Sequence, residues 1–138
     1  MSVLIQQLIN TFSDKRTAKI HRNIYDEQHS DIRAVTQITN RATGVTINAL
    51  RGVITTDSTS LAAEASAVFV VTNSQVEIGD VVIPSIRSGM VALNTRVSVT
   101  ATTNGTFSIT VVNGNVAAGV AETGAILINF RVIKGSVL

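Results

Sequence analysis

The segment from Thr95 to Asn113 constrains the fold more than any other. Val97, Val99 and Ala101 alternate with Arg96, Ser98, Thr100 and Thr102, and after Asn104-Gly105 the alternation resumes, with Phe107, Ile109 and Val111 set against Ser108 and Thr110. A period of two puts one set on each face of a half-buried strand. Asn-Gly between two such runs is the pair that most readily supplies the positive φ angles of a type I′ turn. The expectation is a β-hairpin with an apolar face, which must be covered by other strands.

The composition agrees with a β body. Of 138 residues, 45% are apolar and 14% are charged, against roughly 25% charged in an average soluble domain. Val, Ile and Thr dominate, which favours pleated strands over helices, and a surface so poor in charge is expected to be partly covered. The length suits one domain plus an arm. Cysteine is absent, which removes disulfides, thiolate catalysis and Cys-ligated metal sites. A net charge of +2 is too mild for a nucleic-acid footprint, so no direct nucleic-acid contact is expected. No apolar run approaches the roughly 18 residues of a membrane span. Asp14-Lys15-Arg16 succeeds the first apolar stretch without a small-residue cleavage site, so no signal peptide is read.

Residues 1–31 differ in kind from the rest of the chain. Ser2 suits an N-cap, and Leu4, Ile5, Leu8, Ile9 and Phe12 fall on one face of a short amphipathic helix. Three isolated turns are marginal in water, so the stripe needs cover from the body, a sister subunit or another protein. Lys15, Arg16, Lys19 and Arg22 come next, without an acid among them, and then Asp26, Glu27 and Asp31. This is either a solvated tether or a basic face for an acidic surface or phosphate. These nine apolar and basic residues are the candidate partner-binding set. The expected domains are therefore an arm over 1–31 and a β-sandwich over 32–138.

From Ile32 the pattern is that of strands. Ala34 to Thr39 is short and ends in the turn residues Asn40 to Gly44. Val45, Ile47, Ala49, Val53 and Thr55 read as one strand bent at Gly52. Leu61 to Ala65 reads as a loop, and Val68-Phe69-Val70-Val71 as a strand covered on both faces. Val76 to Ile83 reads as a strand interrupted at Gly79 and ended by Pro84, which belongs at a sheet edge or strand end. Met90 to Leu93 reads as a loop or subunit contact. In Ala125 to Lys134, Ile126, Ile128, Phe130 and Val132 form the core face. About eight short strands with polar turns indicate an all-β fold, an antiparallel β-sandwich of jelly-roll type.

Reactive constellations are missing from the pattern. His21 and His29 both lie in the arm and lack the i, i+4 spacing of a helical metal pair, so neither Ser-His nor Cys-His pairs can form within the body. Asp57, Glu64, Glu77, Asp80 and Glu122 sit near expected turns or strand ends, where solvated carboxylates are the ordinary outcome. Trp is absent and Tyr25 lies in the arm, so a sugar-binding aromatic platform is not read. No glycine-rich phosphate loop occurs. No catalytic residue, metal site or cofactor is expected, and the chain reads as non-enzymatic.

Several phrases of the body resemble a family of small β-rich bacteriophage virion proteins. They are Thr43-Gly44-Val45-Thr46-Ile47-Asn48, Gly52-Val53-Ile54-Thr55, Val71-Thr72-Asn73-Ser74, Gly105 to Thr110, and Ile128 to Gly135. The resemblance covers roughly residues 33–135 and leaves the arm unmatched. It implies a structural protein of the virion, similar to head decoration (cement) proteins and to trimeric domains of tail fibres. The cement reading implies a homo-oligomer, a trimer ahead of a dimer, that clamps major capsid protein subunits on the capsid surface after synthesis in the host cytoplasm. The alternative is a tail-fibre or adsorption component that binds a host receptor. An arm that reaches a second subunit fits cement better, whereas a fibre tip usually ends a much longer chain.

Overall fold

The computed structural model describes residues 32–135, and the chain divides into two units at Asp31/Ile32. The described residues contain strands and no helix: β1 Arg33–Thr36, β2 Val45–Thr46, β3 Arg51–Thr55, β4 Ser66–Thr72, β5 Val81–Ser88, β6 Thr95–Thr103, β7 Thr106–Asn113 and β8 Leu127–Ile133. They form two four-stranded sheets, in the orders β1-β3-β8-β5 and β2-β4-β7-β6. The expected amphipathic helix of the arm lies outside the described residues. The all-β expectation holds, but purely antiparallel sheets do not. β1 runs parallel to β3 and β2 parallel to β4, so both sheets are mixed. Each parallel strand lies at a sheet edge. β1 and β3 are parallel because the chain crosses to the other sheet through β2 before it returns, where a tight hairpin would have made them antiparallel.

One apolar core draws on both sheets. β8 contributes Ile128, Phe130 and Val132, β7 contributes Phe107, Ile109 and Val111, β4 contributes Phe69 and Val71, and β3 contributes Ile54. The Phe107 and Phe130 rings, one from each sheet, meet with centroids 5.3 Å apart and planes tilted by 52°, within the range that aromatic pairs favour. The expected core face of the last strand is the observed one.

The hairpin forms with Thr103 opposite Thr106, but its turn is not type I′. Gly105 has φ +79°, while Asn104 is not among the residues with positive φ. Asn104 instead accepts a hydrogen bond from Ile78 N at 2.8 Å, and Gly105 N donates to Val76 O at 2.8 Å. The loop before β5 thus holds the turn in a different shape. A register shift between Val99 and Ala101 leaves Thr100 out of the Cα pairing, although its hydroxyl lies 3.2 Å from that of Thr110. The shift turns Ala101 outward and half-buries Thr102 opposite Phe107, because a bulge exchanges the faces of the residues beyond it.

Other expectations are corrected by the same register logic. β2 and β3 are not one bent strand; the chain breaks at Asn48 to Leu50 and changes sheet. Gly52 lies in regular register with Arg33 and Phe130, and a Cβ there would fall 2.7 Å from Ile47 Cδ1 and 2.8 Å from Phe130 Cε1. Glycine is needed for space, not for a bend. β4 is covered on one face only: Phe69 and Val71 are buried, whereas Val68 is 50% and Val70 46% exposed. Pro84 sits mid-strand in β5, opposite Phe130, where the edge position spares it a ladder hydrogen bond. The strand begins at Val81, after a turn in which Gly79 has φ +93°.

Candidate interaction surface

The sequence-derived partner set, Leu4, Ile5, Leu8, Ile9, Phe12, Lys15, Arg16, Lys19 and Arg22, lies outside the described residues. Three other places can carry chemistry, and two of them prove structural.

The first is a buried polar knot. Glu122, read from the sequence as a solvated carboxylate, is fully buried. Its oxygens accept hydrogen bonds from Thr95 Oγ1 at 2.6 Å, Gly124 N at 2.7 Å, Ala92 N at 3.0 Å and Val91 N at 3.1 Å. Burial pushes this carboxyl up, but the Thr95, Gly124, Val91 and Ala92 donors outweigh burial and hold it below its ordinary value. Arg41, in an expected turn, is buried beside it. Its guanidinium donates to Gly124 O at 2.8 Å, Glu122 O at 3.1 Å and Thr56 Oγ1 at 3.2 Å, and its Nε to Thr59 O. Burial pushes Arg41 down, opposed by the carboxylates of Glu122 and Asp57. Every buried side-chain nitrogen or oxygen among the described residues has a partner. The fully satisfied network ties the loops around residues 41, 56, 92 and 124 together.

The second is an ion cluster at one end of the body. Lys134 Nζ lies 2.7 Å from Asp80 Oδ2 and 3.2 Å from Glu77 Oε2. Asp80 is buried and also accepts from Glu77 N at 2.8 Å and Gly135 N at 2.9 Å. The Lys134 hydrogen bond, followed by those two amides, holds the Asp80 carboxyl at about 2, and Asp80 in turn raises Lys134. The arrangement fastens the end of β8 to the turn before β5.

The third is the outward surface. On the β1-β3-β8-β5 sheet, Val81, Ile83 and Ile133 are about half exposed, and on the other sheet Val68 and Val70 match them. The loop between β5 and β6 adds Val91 and Leu93, the latter 90% exposed. On the first sheet a concavity of about 380 Å³ is lined by Arg51, Arg87 and Arg131 together with Val53, Asn129 and Phe130. No family model, curated protein or solved structure matches this chain. Among the described residues there is also no group of three or more His, Cys, Asp or Glu placed to hold a metal, and no helix long and apolar enough to cross a membrane.

The sequence did not reveal the knot or the concavity. Arg41 and Glu122 lie 81 residues apart in the chain, and each stands in a polar turn context that usually means solvent. The three arginines lie on three different strands, and only the strand order brings them to one face.

Proposed function

We propose that this chain is a non-enzymatic structural protein of a bacteriophage virion, a capsid decoration protein that oligomerises and clamps neighbouring major capsid subunits through its arm and β body. The observation that carries this reading is the outward apolar surface: Val81, Ile83, Ile133, Val68, Val70 and Leu93 are each at least 46% exposed. Apolar surface displayed on both sheets favours burial against copies or partners, and the low charge of the chain points the same way. The class of assembly comes from the resemblance of several phrases of the body to small β-rich virion proteins.

The strand order supports a jelly-roll reading of the body. Strands β3-β8-β5 in one sheet answer β4-β7-β6 in the other, so successive strands from β3 to β6 alternate between sheets, as in an interleaved Greek key. β1 and β2 then extend the edges in parallel.

A cryo-electron reconstruction of the particle tests the function. Density on the capsid shell, in three-fold clusters with residues 1–31 laid on neighbouring subunits, is the expected result. Density confined to the tail would overturn the capsid reading in favour of an adsorption component.

A further inference from the structure

We infer that the arginine-lined concavity on the β1-β3-β8-β5 sheet is a docking site for an acidic segment of a partner protein, one that presents carboxylate side chains next to an apolar one. The inference names the chemistry of a partner and so rests on the reading that the chain works by docking.

The site is built by register. Arg51 on β3 and Arg131 on β8 lie directly opposite one another, and the next outward pair is Val53 opposite Asn129. On the other side of β8, Ser85 faces Asn129, and the bulge between Ile86 and Ser88 leaves Arg87 without a partner on β8 while placing it in the same concavity. Arg51, Arg87 and Arg131 therefore line the concavity with Asn129, and among the described residues none that lines it is acidic. Among the described residues neither the Arg87 nor the Arg131 guanidinium makes a hydrogen bond or ion pair.

The shape selects a peptide over a small anion. A volume of about 380 Å³ exceeds what one phosphate needs and falls in the lower range of ligand sites. Ile32, Val53 and Phe130 give part of the wall an apolar character, which a carboxylate alone cannot use. Guanidinium groups hold carboxylates through paired, charge-assisted hydrogen bonds and stay charged at every physiological pH.

The test uses the full chain, labelled with ¹⁵N, and an amidated peptide of alternating Glu and Leu, with a Lys-Leu peptide and inorganic phosphate as the comparison probes. The Glu-Leu peptide is expected to shift amides at 51–53, 87 and 129–131, and to bind more weakly as salt is raised. Replacing both Arg87→Ala and Arg131→Ala removes charge-assisted hydrogen bonds to the peptide and should weaken binding by about tenfold or more, while Arg96→Ala on the other sheet leaves it unchanged. Absence of binding, shifts elsewhere, or equal binding by the double variant would overturn the inference. Equal effects from phosphate would also overturn it and make the site one for small anions. Because the probe is a free peptide, this result is independent of whether the chain decorates a capsid.

Discussion

Glu122 is the side chain on which the loop end of the body depends. Its four donors come from three stretches of chain, 91–92, 95 and 124, so Glu122→Gln would set an amide NH2 group against N–H donors and leave at least one unpaired. The expected loss is on the order of 3 kcal/mol, read as a lower urea midpoint with an unchanged slope. Acidification tests the same group. Glu122 and Asp80 both titrate lower in the folded chain than in the unfolded one, so their stabilisation is complete above the ordinary carboxyl range. It is lost as pH falls, for Asp80 down through about 2. The urea midpoint should therefore drop as pH is lowered from 5 to 2, and Asp80→Asn should flatten that dependence; a midpoint indifferent to acid would refute both assignments. At Gly52 the constraint is space. A Cβ would stand 2.7 to 2.9 Å from Ile47, Phe130 and the Arg33 carbonyl, so Gly52→Ala should destabilise by about 1–3 kcal/mol, although its backbone needs no positive φ.

Strand identity follows from local pattern, and strand partnership does not. β8 and β7 could be read residue by residue because their alternation is strict and their inner faces carry the largest apolar side chains. β4 misled, since Val68 and Val70 look like core beside Phe69, and only the pleat shows that they face outward. Measured under dilute conditions, Val68→Thr and Val70→Thr should each change stability by less than about 0.5 kcal/mol, whereas Phe69→Ala should cost about 3–5 kcal/mol. A large loss at Val68 or Val70 would mean that the outer face is covered within the chain. Asn104-Gly105 marked the hairpin correctly, yet the turn type escaped because it is settled by Val76 and Ile78, which lie almost 30 residues earlier. Gly105 has φ +79° and nothing within 4 Å of a prospective Cβ, so only backbone strain opposes substitution. Gly105→Ala should cost about 1–2 kcal/mol, and Gly105→Asn less, since Asn tolerates the left-handed region better. Equal losses would point to a contact in place of strain.

At the scale of the molecule, the core, the knot and the ion cluster all use residues from Arg41 to Gly135. The described body is a compact unit of its own, and on the proposed reading the apolar and basic residues at 4–22 serve a neighbouring subunit. The labour is divided: the body presents surfaces, and the arm, as proposed, engages a neighbouring subunit. A chain starting at Ile32 should keep its β signal in circular dichroism and unfold cooperatively, yet fail to attach to the particle. Loss of the β signal would make the arm part of the fold. Attachment by the shortened chain would move the anchor to the sheet faces, where salt separates the remaining contributions. Docking through Arg51, Arg87 and Arg131 weakens as ions screen the pairing over roughly 8–10 Å, whereas docking through Val68, Val70 and Leu93 persists, because burial of apolar surface does not depend on charge.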